Sequence, residues 1–189
     1  MIWRWLPVLA ILCLPFTAKA NSDCGEMTNY HGPDAGNFIM TLGAVPKLPY
    51  DSYWLYFRSA DHCRTGTIAL LPDNIFAPKP DIDNESEQAE VSVWALPPGN
   101  YEFYNFEVRS NSAFSGGRFG PKEDFSIPFT IVPGHTVYLG DFRAHGMTGR
   151  NIFGIPVKGG VSFVVSDQSK RDIPIARTRP VSIQSIDIK

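Results

Sequence analysis

The sequence predicts an all-β protein, an antiparallel two-sheet sandwich with a short C-terminal helical turn, and three observations lead to it. The first is composition: 43% of the 189 residues are hydrophobic and 13% aromatic, which suits one packed domain and excludes a disordered chain. The second is periodicity, because short β-branched and aromatic runs recur between turn residues while helical spacing is scarce. The third is a pair of Pro-Gly turns, which favour antiparallel connections over helical crossovers.

Residues 1–20 have the three parts of a secretory signal peptide. Arg4 supplies the positive charge, Leu6 to Leu14 form a short apolar run, and Ala18-Lys19-Ala20 places small residues where signal peptidase needs them. The apolar run is about half of the ~20 residues that span a bilayer, so a cleaved signal is favoured over a membrane anchor. We therefore expect residues 21–189 to be a single exported domain, periplasmic or secreted, with no transmembrane segment after cleavage.

Removal of the signal takes Cys13 with it and leaves Cys24 and Cys63. Two cysteines in an exported chain of this size most simply form one disulfide. The competing interpretation is a nucleophilic thiol at Cys63 activated by His62. Neighbouring residues of an extended segment point to opposite faces, so His62 is badly placed for that function. The sequence therefore predicts a Cys24–Cys63 disulfide.

Nine segments share the composition and length of strands. They are Asn37–Leu42, Tyr53–Ser59, Thr67–Leu71, Glu90–Leu96, Tyr101–Arg109, Phe125–Ile131, Thr136–Phe142, Asn151–Val157 and Val161–Ser166. In Phe125–Ile131 the apolar residues alternate with polar ones and share one face. Pro128 in this strand has no amide hydrogen, which predicts an edge strand or a bulge.

Turns and loops separate these strands. Pro98-Gly99 and Pro133-Gly134 each have the residues of a type II turn, so both are predicted to be tight hairpins or corners. Long loops are expected at about 78–88 and 110–123, where acidic or glycine-rich residues cluster. Residues 166–172 resemble a capped helical turn that Pro174 keeps short.

The segments Leu96–Phe106 and Phe125–Phe142 resemble the strand-turn-strand signatures of exported bacterial prealbumin-like or carboxypeptidase-regulatory-like domains. LPPGNYEFYNF has the family's L-P-x-G-x-Y turn before an aromatic strand, and VPGHTVYLG is similar to its pGxxxYlG segment. The resemblance covers about residues 90–167. It implies an immunoglobulin-like or prealbumin-like sandwich of seven or more strands that is commonly non-enzymatic and often part of the cell envelope.

The large aromatic residues of two predicted strands indicate a candidate recognition surface. Tyr53–Phe57 and Tyr101–Phe106 have large side chains on both faces, and only one face of each can belong to the core. The outward side chains Trp54, Tyr56 and Tyr104 would then bind a partner, because monomers seldom expose a wide apolar patch without a use. The alternative is that the N-terminal segment or the C-terminal turns cover them.

No catalytic, cofactor or metal set is evident in the sequence. The four histidines lack metal-ligand spacing, and no nucleophile elbow or phosphate-binding glycine pattern occurs. The acids of Asp81–Glu85 alternate as in a calcium loop, but Ser86 and Ser92 stand where glycine and glutamate are needed. A net charge of −2 argues against a nucleic-acid partner.

Charge divides unevenly along the chain. Residues 21–108 carry 4 basic and 13 acidic groups, and residues 109–189 carry 11 and 6. Either the C-terminal bases form a patch for an anionic surface, or the two halves interleave and neutralise each other; we favour the second. The function expected is a non-enzymatic envelope protein that binds an envelope component or a protein partner. The alternative is a periplasmic hydrolase with carboxylates gathered from separate strands.

Overall fold

The computed structural model describes residues 24–45, 48, 50–72, 76–110, 117–150, 152–181, 183 and 185–188, without the side chains of residues 156–159. Within these ranges the chain forms twelve strands and one helix. They are β1 (Gly25–Glu26), β2 (Gly36–Ala44), β3 (Ser52–Ser59), β4 (Arg64–Leu70), β5 (Ile82–Asp83), β6 (Gln88–Leu96), β7 (Gly99–Ser110), β8 (Gly117–Phe119), β9 (Ile127–Ile131), β10 (His135–Arg150), β11 (Pro156–Ser166), α1 (Ser169–Ala176) and β12 (Ser185–Ile188).

The strands form two sheets that pack face to face, which confirms the predicted all-β sandwich with a short C-terminal helix. The first sheet has the order β1-β4-β3-β7, and β8 and β9 both pair with β7. The second has the order β11-β10-β2-β6-β5, and β12 pairs with β10. The C-terminal residues Ser185–Ile188 thus supply the strand β12 to the second sheet.

The strand directions are mixed, which the expectation of antiparallel pairing did not anticipate. β3–β4, β3–β7, β2–β6 and β10–β11 are antiparallel, whereas β1–β4, β2–β10 and β10–β12 are parallel. The reason lies in the Pro-Gly turns. Both are corners that take the chain from one sheet to the other, so neighbours within a sheet often come from distant segments. A corner does not fix the direction of such distant neighbours.

The turn after β9 has the predicted type II geometry. The amide of His135 donates to the carbonyl of Val132 at 3.1 Å, and Gly134 has a φ of 68°, which an L side chain rarely adopts. Pro133 occupies the position before Gly134, and its ring fixes φ there at the value that this turn requires. The sequence therefore specifies this corner residue by residue.

Several predicted boundaries were wrong around β10 and β11. The predicted strand Asn151–Val157 does not exist as such, because residues 152–154 form the turn between two long strands, and residue 151 lies outside the described residues. Glycines interrupt the apolar pattern of β10 and hid its length. Gly140 has a φ of 106° and lies where the pairing with β2 shifts register. The expected loops at 78–88 and 110–123 contain the short strands β5 and β8.

Aromatic rings fill the space between the sheets. Phe38 of the second sheet lies fully buried against Phe57 and Phe129 of the first, with ring centroids 5.4 and 5.3 Å away and edge-to-face geometry. Pro128 lies on β9, which pairs only with β7 within the described residues, so the predicted edge position is confirmed.

The predicted Cys24–Cys63 disulfide is present. The two Cα atoms are 4.6 Å apart, and the bond joins the residue before β1 to the residue before β4. The amide of Met27 donates to the carbonyl of Thr65 at 2.6 Å, and Met27 is buried. The bond thus attaches the N-terminal segment to the first sheet. The predicted signal, residues 1–20, lies outside the described residues, and no helix within them has the length and apolarity to cross a membrane.

Candidate recognition surface

The three aromatic side chains predicted as a recognition surface lie together on the outer face of the first sheet. Along β3, Tyr53, Leu55 and Phe57 are buried in the core, so Trp54 and Tyr56 point outward. The register between β3 and β7 shifts after Tyr56, and this bulge brings Tyr104 beside it, with ring centroids 6.3 Å apart. All three side chains are half-buried.

Arginine side chains cover two of these rings. The Arg58 guanidinium carbon lies 4.3 Å from the centre of the Tyr104 ring, and that of Arg109 lies 5.1 Å from the Trp54 ring. Such cation–π contacts contribute roughly 0.5–1 kcal/mol each at exposed sites. We call the outer surface formed by Trp54, Tyr56, Arg58, Tyr104, Arg109 and Arg118 the arginine–aromatic face.

Carboxylates hold the arginines of the arginine–aromatic face in place. Arg58 donates to Glu102 at 2.7 Å and to Asp124 at 2.9 Å. Glu107 accepts from Arg109 and lies 3.6 Å from the guanidinium of Arg118. Because each cation has a carboxylate beside it, the face presents both signs of charge.

Hydrogen bonding stabilises the ionised form of Glu102. Ser126 donates to its Oε2 at 2.5 Å, and this bond, followed by the one from Arg58, holds the pKa of Glu102 below its usual value. Partial burial raises the pKa of Tyr56 and of Tyr104, so both rings stay neutral phenols at physiological pH.

A shallow groove of about 310 Å³ lies at the edge of this face, between Tyr56 and the segment that follows β8. Its lining includes Tyr104, Glu107, Arg118 and the residues Phe119 to Pro121. The groove therefore combines apolar walls with one acidic and one basic group. The N-terminal strand β1 pairs with β4 at the edge of the first sheet, and α1 and β12 contact strands of the second sheet, so the described contacts of these segments lie away from the arginine–aromatic face.

The outer face of the second sheet is covered by α1, and a buried ionic cluster lies beneath that helix. Asp172 of α1 is fully buried and accepts hydrogen bonds at 2.6 Å from Thr41, Tyr138 and Arg171. Arg171 also donates to Asp141 at 3.1 Å. Helix and sheet are therefore joined by charge-assisted bonds as well as by apolar contacts.

Glu87 and Arg143 complete this buried ionic cluster. Glu87 accepts from Arg171 at 2.9 Å and pairs with Arg143, which also donates to Asp141. Burial raises the pKa of Asp141, and the two neighbouring arginines oppose the shift. Carboxylates from separate elements do meet here, as the hydrolase alternative requires, but Asp141 and Asp172 are fully buried and their arginine partners close the cluster.

Two depressions flank the N-terminal segment. One of about 360 Å³ lies between Cys24–His31 and Arg64, and one of about 430 Å³ lies between Tyr30, Asn37 and Val181. Their walls contain one histidine, His31, and no serine. In the part of the chain that the structure describes, no group of three or more His, Cys, Asp or Glu side chains is arranged to hold a metal ion.

The sequence did not reveal the buried ionic cluster or the arginines that cover the aromatic rings. One signal was present, because Asp141 interrupts an otherwise apolar strand and a buried acid needs a cationic partner. Asp81, considered for calcium, instead accepts from the amide of Val91 at 2.9 Å and from Arg179 at 2.5 Å. The acidic segment thus pairs with the C-terminal bases.

Comparisons with known proteins give no family for this chain. No family model matches it, and no curated protein matches it. Among solved structures, it is similar to a leucine-rich repeat protein from Bacteroides thetaiotaomicron, with 12% sequence identity and a TM-score of 0.34. The similarity covers 59% of this chain and only 14% of that protein.

Proposed function

We propose that this protein is an exported, non-enzymatic binding or accessory protein of the cell envelope, and that it docks a partner protein through the arginine–aromatic face. One observation carries the proposal: Trp, Tyr and Arg side chains form a layer on the outer face of the first sheet, whereas α1 lies against β2 and β6 of the second sheet. These three residue types are the ones that dominate binding energy in protein–protein interfaces.

The cation–π contacts favour a protein partner over a carbohydrate. A sugar would stack on a bare ring face, but Arg58 and Arg109 already occupy the faces of Tyr104 and Trp54. The arginines are in turn paired with Glu102 and Glu107, so both charge signs are available at fixed positions. This arrangement is suited to a folded protein surface with complementary charges.

Two features support an envelope location. Residues 1–20 have the pattern of a secretory signal, and structural disulfides such as Cys24–Cys63 persist in oxidising compartments. The partner is accordingly expected among exported or membrane proteins.

The proposal is tested by capture of partners from an envelope extract with matched variants. The double variant Tyr56→Ala/Tyr104→Ala removes two hot-spot side chains. The control Lys170→Ala/Arg177→Ala changes two exposed residues on the opposite side, one within α1 and one directly after it. We expect a specific protein to be retained by wild type and control and depleted about 30-fold or more by the face variant, since a hot spot contributes at least ~2 kcal/mol.

Equal retention by the face variant would exclude this docking site. Thermal denaturation of each variant shows whether the fold is intact. If the double variant unfolds, the milder substitution Arg118→Ala replaces it, because this guanidinium is largely exposed and contacts the groove.

A further inference from the structure

The β10–β11 hairpin extends beyond the second sheet. β2 pairs with β10 only as far as Ala144, and past this point β10 and β11 pair with each other alone within the described residues. Leu48 packs at the base of the extension, close to Gly146. The far end, residues 147–150 and 152–155, therefore projects from the sandwich as a tip.

Large apolar side chains are exposed at this tip. Ile152 is 92% exposed, Phe153 78% and Ile155 57%, and Met147 on the neighbouring strand is 48% exposed. A soluble surface rarely gathers four large apolar side chains at one convex point without an interaction site there. Arg150 closes the turn by donating to the carbonyl of Gly154 at 2.8 Å, which holds a cation beside them.

The hairpin is also a cationic segment of an acidic protein. Residues 142–166 contain Arg143, Arg150 and Lys158 and no aspartate or glutamate, while the whole chain has a net charge of −2. Arg143 is engaged in the buried ionic cluster, which leaves Arg150 as the cation at the tip among the described side chains. The charge distribution thus directs the tip, and not the acidic body, toward an anionic surface.

We infer that the tip of the β10–β11 hairpin docks onto an anionic lipid bilayer, with Ile152, Phe153 and Ile155 entering the interface and Arg150 contacting the headgroups. A convex tip of so few residues buries less area than the ~800 Å² per partner of a stable protein interface. A fluid bilayer accommodates a convex apolar tip, and basic residues add attraction to anionic lipids. The inference is independent of the arginine–aromatic face.

Vesicle flotation tests the inference with the exported form of the chain, its N-terminus established by mass spectrometry. The probes are phosphatidylcholine vesicles with and without about one-third phosphatidylglycerol. The tip variant is Ile152→Ser/Phe153→Ser. The control is Val164→Ser/Val165→Ser, two β11 residues that are 52% and 47% exposed but lie at the sheet. All forms share one N-terminus, so any contribution from it cancels.

We expect wild type and control to float with anionic vesicles. The tip variant should bind these vesicles at least about tenfold more weakly, because two apolar side chains no longer enter the lipid. Binding to neutral vesicles should be weaker, and added salt should reduce the anionic binding. Failure of wild type to bind, or equal binding of the tip variant, overturns the inference. If the tip variant instead fails to capture a protein from an envelope extract that wild type captures, and still binds vesicles as wild type does, this result also counts against the inference.

Discussion

Asp172 illustrates how a single buried charge is retained in this fold. A carboxylate taken out of water costs several kcal/mol unless its oxygens are fully hydrogen-bonded and its charge is compensated. Here Thr41 and Tyr138 donate to one oxygen and Arg171 to the other. The three donors come from β2, β10 and α1, so this one group fixes where the helix lies on the second sheet.

Replacement of Tyr138 by phenylalanine removes one of these donors. We expect Tyr138→Phe to lower the free energy of unfolding by about 1–3 kcal/mol, because a buried carboxylate oxygen loses a hydrogen bond. The control is Tyr104→Phe on the half-buried outer face, for which a change within about 0.5 kcal/mol is expected. Urea denaturation measures both, and equal effects of the two substitutions would contradict this function of the Tyr138 hydroxyl.

The pKa of Glu102 gives a pH-dependent prediction with a defined sign. This pKa is lowered from 4.5 by the bonds from Ser126 and Arg58, so the folded state binds fewer protons there than the unfolded state. Its contribution to stability is fully present above pH 4.5 and is lost as the pH falls through the folded-state pKa. Wild type should therefore lose more stability than Glu102→Gln on acidification from about pH 6 to pH 3.

Glu90 serves as a control of opposite sign. Burial raises its pKa above 4.5, so its contribution is present below pH 4.5 and is lost as the pH rises through the folded-state pKa. The stability of wild type relative to Glu90→Gln should therefore increase as the solution is acidified. Urea denaturation at a series of pH values measures both comparisons, and the same sign for both would refute the assignment.

At the scale of the elements, the packing of β3 against β4 depends on a missing side chain. Gly66 is opposite Phe57 in the antiparallel register, and a Cβ added there would lie 2.2 Å from the Phe57 ring. That ring cannot move away easily, because it is fully buried and packs edge-to-face against Phe38 and Trp94.

We expect Gly66→Ala to lower the free energy of unfolding by about 1–3 kcal/mol through overpacking. Gly25→Ala is the matched control, because a Cβ at this strand glycine meets nothing within 4 Å. Thermal or urea unfolding compares the two variants. A Gly66→Ala protein as stable as the control would show that the core accommodates the added methyl group.

The disulfide is the covalent link between the N-terminal segment and the first sheet. β1 has only two residues, so its pairing with β4 provides few hydrogen bonds to hold the N-terminal segment if the disulfide is absent. Closing a loop with a sequence separation of 39 restricts the unfolded chain by roughly 4 kcal/mol. We expect Cys24→Ser/Cys63→Ser to lose about that much stability in urea, and wild type in reductant to match it. Unchanged stability in both cases would contradict this function of the bond.

The elements differ in how far local chemistry specifies them. Tyr53–Ser59 and Glu90–Leu96 were predicted nearly to the residue, because alternating side chains and adjacent turn residues are local signals. The predicted strand Thr136–Phe142 was shorter than β10, because glycines mask the alternating pattern of its second half. The parallel pairing of β10 with β2 depends on contacts between residues about a hundred positions apart. No local pattern encodes such a pairing.

The candidate site was predictable only in part for the same reason. Alternation along β3 placed Trp54 and Tyr56 on one face. Tyr104 joins them through a bulge in β7, and Arg109 of β7 covers Trp54 of β3. Both contacts depend on how the two strands pair, and the pattern of a single strand does not contain that information. The resemblance to prealbumin-like domains stays a prediction, because no family model matches the chain.

At the scale of the whole molecule, the two halves of the chain neutralise each other. Glu87 and Glu90, from the acidic half, pair with Arg143, Arg171 and Arg179 from the basic half. The interleaved alternative is thus the one that the ion pairs favour. One outer face is occupied by α1 and the buried ionic cluster beneath it, which leaves the arginine–aromatic face available for a partner.

Site-specific photo-crosslinking in the cells that make the protein tests this assignment of faces most directly. A photoreactive phenylalanine analogue replaces Tyr104 on the arginine–aromatic face, or Val165 at the edge of the second sheet as the control. We predict that the probe at position 104 yields a discrete crosslink to one exported or membrane protein, and that the probe at position 165 does not. No crosslink from position 104, or the same products from both positions, would contradict the proposal.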